Sequence, residues 1–310
     1  MFDVFLPVAN MSVSLPLILG CGGVVGFLSG LFGVGGGFLL TPLLMMIGIP
    51  PAVAAASDSC QIVAAASSGA LAHKRMGNVD VKMGIVLLAG GIAGGTVGVQ
   101  LVKLLREMGN FEFAIKAIYV CMLGLVGGAM FIESLNTLRK SKDAGVSAPP
   151  GPSKMSQLFS RLPFQQSFPK AGIKTSMLFP FVAGAVVGTL AALMGVGGGF
   201  IMVPTMIYII GMPTVVAIGT DLFQIVFTTA NVTLMQAIVN HTVDIELSLI
   251  LLAGSTIGAQ FGAKLTKRLR GEQLRILLAV IVLGLMFKLL IDLLSTPNDL
   301  VGLLTASGGH

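Results

Sequence analysis

Between Asp3 and Lys74 the chain carries a single formal charge, Asp58, and between Lys174 and Asp244 again a single one, Asp221. Soluble domains carry about 25% charged residues, whereas here 10% of 310 residues are charged and 55% are hydrophobic. Apolar runs long enough to cross about 30 Å of hydrocarbon recur along the whole sequence. They are continuous and lack the period-two alternation of a membrane barrel strand. The fold class that follows is all-α, a polytopic transmembrane helical bundle.

The chain also repeats itself. Gly33-Val34-Gly35-Gly36-Gly37-Phe38 recurs as Gly195-Val196-Gly197-Gly198-Gly199-Phe200. Pro42 matches Pro204 at an offset of 162, and Pro50, Asp58 and Gln61 match Pro213, Asp221 and Gln224 at 163. Val79-Asp80 and Gly90 match Val243-Asp244 and Gly254 at 164. Shared glycines, prolines and acids in one order indicate internal duplication, with one-residue slips at two loops.

Five helical segments are expected in each half. They run over about 15–32, 37–48, 51–72, 83–103 and 113–134, then 177–194, 199–210, 213–238, 247–265 and 273–294. Residues 1–134 form a first transmembrane repeat and 176–310 a second. Between them, 135–175 is a polar linker with Pro149, Pro150, Pro152, Pro163 and seven Lys or Arg, expected to be mostly unstructured. The first Lys or Arg is Lys74, so no basic segment marks a cleaved signal, and the first apolar segment is expected to remain in the mature protein.

Charge sets the expected orientation. Lys74, Arg75 and Lys82 mark the 73–82 loop as cytoplasmic, while its counterpart near 239–246 has no Lys or Arg. The 264–275 loop has Lys264, Lys267, Arg268, Arg270 and Arg275, against Lys103 and Arg106 offset by Glu107 and Glu112 in its counterpart. Equivalent loops fall on opposite faces, so the repeats are expected to be inverted, with both termini outside and the linker cytoplasmic. Phe38–Gly48 and Phe200–Gly211 are too short to span at about 1.5 Å per residue. They are expected to be broken, re-entrant helices, which membranes tolerate where protein or a water-filled cavity covers the bared backbone.

The candidate site is built on these breaks. Each glycine in a helix costs about 1 kcal/mol relative to Ala, so the glycines of 33–37 and 195–199 should interrupt the helix. The N–H groups that open the next half-helix then lack partners and, with the helix dipole, suit an anion. Substrate-binding candidates are therefore Gly33, Val34, Gly35, Gly36 and Gly37 with Gly195, Val196, Gly197, Gly198 and Gly199. Asp58 and Asp221 each precede a Gln by three residues, so Gln61 and Gln224 share a helix face with them and join the substrate-binding candidates. A carboxylate in a bilayer is costly unless protonated, hydrated or paired, which makes Asp58 and Asp221 candidates for proton coupling. A structural role, bracing the bared N–H groups, is the alternative for both acids and both glutamines.

Other residues suggest less. Gly22, Gly26 and Gly30, Gly90, Gly94 and Gly98, and Gly254, Gly258 and Gly262 are four apart, the spacing of closely packed membrane helices. Cys21, Cys60 and Cys121 lie in apolar segments without metal-ligand spacing, and His73, His241 and His310 lack it too. No cofactor or metal is expected. The net charge of +6 sits in loops where it orients the chain rather than binding nucleic acid. No nucleophile with an accompanying base is evident, so an enzyme is not expected.

The doubled Gly-Val-Gly-Gly-Gly-Phe with its proline four residues on resembles the TauE/SafE family of sulfite and organosulfur anion exporters. That resemblance implies a secondary carrier of the bacterial inner membrane. Its implied partners are the lipid bilayer, protons and a small anionic substrate such as sulfite, sulfoacetate or thiosulfate, moved outward. It also draws attention to Pro42, Pro204, Asp58 and Asp221. A passive anion channel on the same scaffold and a non-transporting membrane partner or sensor are the other readings. The oligomeric state, monomer or homodimer, and the role of the linker are left open.

Overall fold

The computed structural model describes residues 3–32, 37–109, 111–140, 165–266 and 271–294. A hairpin of β1 (Asp3–Leu6) and β2 (Met11–Ser14) leads into α1 (Leu15–Phe32), α2 (Gly37–Met46), α3 (Pro51–Arg75), α4 (Val81–Glu107) and α5 (Phe111–Lys140). A second hairpin, β3 (Gln165–Phe168) and β4 (Ile173–Ser176), leads into α6 (Leu178–Met194) and the short α7 (Gly199–Pro204). Then follow α8 (Thr214–Met235), α9 (Ile245–Thr266) and α10 (Gly271–Leu294). A π-helical turn, Thr205–Ile210, continues α7, and another, Gln236–Asn240, continues α8.

The order hairpin, helix, short helix and three long helices therefore occurs twice, and all ten expected helices are present. Local chemistry sets their ends. Pro51 is the first residue of α3 and Pro213 the N-cap of α8, positions where a missing N–H costs no intrahelical bond. Asp80 caps α4, its side chain accepting from Met83 N at 3.2 Å. Two features differ from expectation. Helix α5 continues to Lys140, inside the expected linker, and the last part of that linker, from Gln165, forms with Ser176 the antiparallel hairpin β3–β4. That hairpin lies at an offset of 162 from β1–β2, the same as the glycine motif, so it belongs with the repeat that follows it. Leu6 and Phe168, repeat mates in the two hairpins, are both fully buried.

Among the described residues, five helical stretches are long and apolar enough to cross a membrane: Val81–Glu107, Phe111–Gly128, Thr214–Asn240, Ile245–Gly262 and Ile276–Leu294. Leu17, Val24, Ile92, Val97, Phe227 and Phe287 point outward although large and apolar, as side chains facing lipid do. Helix α3 has the length but a polar content, with Ser57, Asp58, Ser59 and Gln61 buried in protein instead.

Packing respects the repeat. Helix α1 lies along α9, and α6, its repeat mate, lies along α4; α3 packs on α8 and α5 on α10. The long pairs meet backbone to backbone at glycines. A Cβ on Gly26 would stand 2.1 Å from Ser255 O, and one on Gly188 would stand 2.3 Å from Gly91 O. Gly94 faces Ala185 O at 1.8 Å and Gly258 faces Gly23 O at 2.0 Å by the same measure. Helices held that close gain dispersion contact along their length, the main attraction available between helices in lipid.

Candidate functional site

The second glycine motif breaks the chain as its composition requires. Helix α6 stops at Met194, and Gly195 caps it at φ 73° with its N–H donating to Ala191 O at 2.8 Å. Gly198 precedes α7 at φ 86°. Residues with a Cβ avoid both conformations. Met202 N is the first to reach back to Gly198 O by the α-helical pattern, at 3.0 Å, and Ile201 N reaches the same oxygen at 3.1 Å. The N–H groups of Gly199 and Phe200 precede any intrahelical bond, so they stand at the free end of the α7 dipole. On the other side of the break, the Tyr119 hydroxyl of α5 donates to Met194 O and satisfies the last carbonyl of α6.

The two motifs meet. Phe38 and Phe200 stack with ring centroids 5.5 Å apart at 24°. A Cβ on Gly37 would lie 3.2 Å from Val196 O and 2.5 Å from the Ile62 side chain. The start of α2 thus rests against the break before α7. Gly33, Val34, Gly35 and Gly36 lie outside the described residues.

A cavity of about 640 Å³ opens beside this junction. Gly37, Val196 and Gly199 form its inner end, with Gln61 on α3 and Ser255 on α9. Gln61 Nε2 donates to Ser255 Oγ at 2.8 Å, a bond between the two repeats. The lining continues past Ser68 on α3, past Thr256 and Gln260 on α9, and past Ser29 on α1. It therefore runs toward the C-terminal ends of these helices, and α3 ends in His73, Lys74 and Arg75. The polar lining is made of neutral hydroxyls and amides, with apolar walls from Leu40, Ile62, Leu222 and Ile225. Such a lining offers hydrogen-bond donors without a fixed countercharge, so the amide N–H groups and helix dipoles at the inner end supply the positive potential.

The two acids lie just behind the junction. Asp58 is fully buried; its Oδ2 accepts from Thr41 Oγ1 of α2 at 2.9 Å, and its Oδ1 has no partner among the described residues. Asp221 is 3% exposed and its Oδ1 accepts from Gln224 Nε2 at 3.2 Å. Its Oδ2 lies 2.8 Å from where a Cβ on Gly199 would stand, over the first turn of α7. Each acid thus touches the half-helix that follows its own repeat's glycine motif.

The predicted residues separate into two groups. Gly37, Gln61, Val196 and Gly199 line the cavity. Gly195, Gly197 and Gly198 shape the break, pressed against Ala55 O, the Ile62 side chain and the Val187 side chain respectively. Gln224 is away from the cavity, bonded to Asp221 and accepting from Thr228 Oγ1 at 2.9 Å. Ser255, Thr256 and Gln260 carry no motif and were missed. The glycine stripes of α1 and α9 were the available signal, because they set the register that places Ser255 opposite Gly26.

Lipid-facing helices around an internal cavity that both halves line define a multi-pass membrane protein of the transporter class. The family model described as Sulfite exporter TauE/SafE matches residues 18–289, and the chain belongs to that family. It is 25% identical over 282 residues to a Bacillus subtilis protein named "Probable membrane transporter protein YunE", covering 88% of this chain and 95% of the relative. A Xylella fastidiosa "Probable membrane transporter protein" is 27% identical over 266 residues, 84% of this chain and 88% of the relative. An Arabidopsis thaliana protein, "Sulfite exporter TauE/SafE family protein 1", is 31% identical over 100 residues, 32% of this chain and 22% of the relative. No solved structure matches.

Proposed function

We propose that the protein is a secondary active carrier of small sulfur-containing anions such as sulfite, sulfoacetate or thiosulfate, that it exports them, and that protons drive it. The observation that carries this reading is the cavity at the junction of the two glycine motifs. Its lining includes Gly199, the first residue of a half-helix, whose N–H precedes any intrahelical bond, and the Gln61 side chain lines the same space. An oxyanion with several acceptor oxygens suits that array better than a cation, which would meet dipoles of the wrong sign. The sulfite-exporter name of the family supports a sulfur oxyanion.

Asp58 and Asp221 take up and release protons in this reading. A buried carboxyl oxygen without a donor among the described residues, as at Asp58 Oδ1, is costly when the group is charged and much less so when it is neutral. The basic loops at 73–82 and 264–275 support a cavity mouth that faces the cytoplasm of a bacterial inner membrane, with the repeats inverted and both termini outside. Substrate would then enter from inside, and one repeat would rock against the other to release it.

Purified protein in liposomes tests the coupling. An imposed pH gradient should drive accumulation of sulfite or a sulfonate, and Asp58→Asn and Asp221→Asn should each abolish gradient-driven accumulation. Accumulation that survives in both variants removes the acids from coupling, and unitary currents without accumulation make the protein a channel.

A further inference from the structure

The two halves pack alike where α1 meets α9 and where α4 meets α6. Leu87 O faces Gly184 as Leu251 O faces Gly22, and Phe181 O faces Gly90 as Leu19 O faces Gly254. Every one of these correspondences keeps the repeat offset of 162 to 164. The two pairs therefore pack in the same way. The halves differ where the central helices touch these pairs.

On one side, α3 presents Ala65 and Ser68 to the Ser255 and Ala259 of α9, and the space between them is the cavity. On the other side, α8 presents their repeat mates Thr228 and Asn231, and α4 presents Gly91 and Gly95. There the seam is shut. A Cβ on Gly91 would lie 2.6 Å from Thr228 Oγ1 and 3.3 Å from Gln224 Oε1, and one on Gly95 would lie 2.9 Å from Val232 Cγ2. Asn231 Nδ2 reaches Thr96 Oγ1 at 3.4 Å across the same seam. Larger side chains on α8 thus fill two glycine notches on α4. Small side chains on α3 leave the equivalent space empty.

We propose that the α4–α8 seam at Gly91 and Gly95 is the closed gate of a second half-pathway, the repeat mate of the open cavity. It opens to the membrane face opposite the cavity mouth when α8 moves off α4. The inference rests on the transporter reading, and it assigns Thr228 and Gln224 to the gate rather than to the site where substrate rests. Gln224 supports this: it lies outside the cavity lining, with its Nε2 donating to Asp221 and its Oε1 accepting from Thr228, whereas Gln61 donates its Nε2 to Ser255 and lines the cavity.

The test labels cysteines with a membrane-impermeant maleimide in right-side-out and inside-out vesicles. The background carries Cys21→Ala, Cys60→Ala and Cys121→Ala. Ala65→Cys should react from the cavity face alone, and Thr228→Cys should react only slowly, and from the opposite face. Adding Gly91→Val wedges the seam, and labelling of Thr228→Cys should then rise at least tenfold from the opposite face. Gly95→Ala, a smaller wedge, gives the same readout if Gly91→Val fails to fold. Thr228→Cys that stays unreactive in a folded wedge variant, or that reacts from the cavity face, overturns the proposal. Because the labelling needs no substrate, a failed cargo assignment and a failed gate give different results.

Discussion

Phe38 and Phe200 stack on each other at 5.5 Å although 162 residues separate them. Each is the residue that follows a glycine motif, so the stack brings the starts of α2 and α7 together at the centre of the fold. The anion-binding reading depends on that meeting. A single half-helix N-terminus carries roughly half a positive charge, and two that converge can hold a full negative charge.

Gly195→Ala should damage the break directly. The position has φ 73°, and the new Cβ would lie 2.2 Å from Ala55 O. The left-handed conformation alone costs about 1–2 kcal/mol, and a backbone oxygen cannot move aside cheaply. Thermal melts in detergent should show a clear loss of stability. Gly20→Ala, with nothing within 4 Å of the new Cβ, should melt like the parent or slightly higher.

Tyr119→Phe should lower stability by about 1–3 kcal/mol, the cost of leaving a buried acceptor unpaired. The acceptor is Met194 O, at the end of α6. The same melts measure it. A variant as stable as the parent would mean that the carbonyl has another partner.

Asp80 and Asp244 are predicted to be equivalent clamps. Asp80 accepts from Met83 N at 3.2 Å and Ala171 N at 3.1 Å, and Asp244 accepts from Leu247 N and Val8 N, both at 3.1 Å. Each caps its own helix and pins the hairpin of the other repeat. Asp80 N also donates to Thr220 Oγ1 at 3.0 Å, as Asp244 N does to Ser57 Oγ at 3.0 Å. Loss of a cap costs about 1 kcal/mol, and a stranded buried N–H adds about 1–3 kcal/mol. Asp80→Ala and Asp244→Ala should destabilise by similar amounts, and Asn at either position by less, as chemical denaturation in detergent would show.

Much of this was legible in the sequence, and the gaps have physical causes. Helix α1 matches its expected bounds and most others fall within a few residues, because charge-free apolar runs between prolines and polar loops define them. The hairpins were not visible, since strands of four residues hold too little pattern to read. Asp80 and Asp244 were seen as repeat markers, but their partners Ala171 and Val8 come from distant sequence. Asp58 and Gln61 were expected to face one cavity. Positions three apart differ by about 60° around a helix and by most of a turn along it. Gln61 accordingly reaches the cavity while Asp58 reaches Thr41. Ser255 meets Gln61 across 194 residues of sequence, a contact that helix register creates and no local motif announces.

The central claim is that the anion rests where Gln61 and the paired glycine motifs meet. The most direct measurement is the affinity of purified protein for sulfite, thiosulfate and sulfoacetate, with Gln61→Glu and Gln61→Asn beside the parent. A carboxylate at position 61 would face the cavity and repel a bound oxyanion. The account predicts at least tenfold weaker binding for Gln61→Glu, with Gln61→Asn retaining measurable affinity. Undiminished binding by a folded Gln61→Glu protein would contradict it.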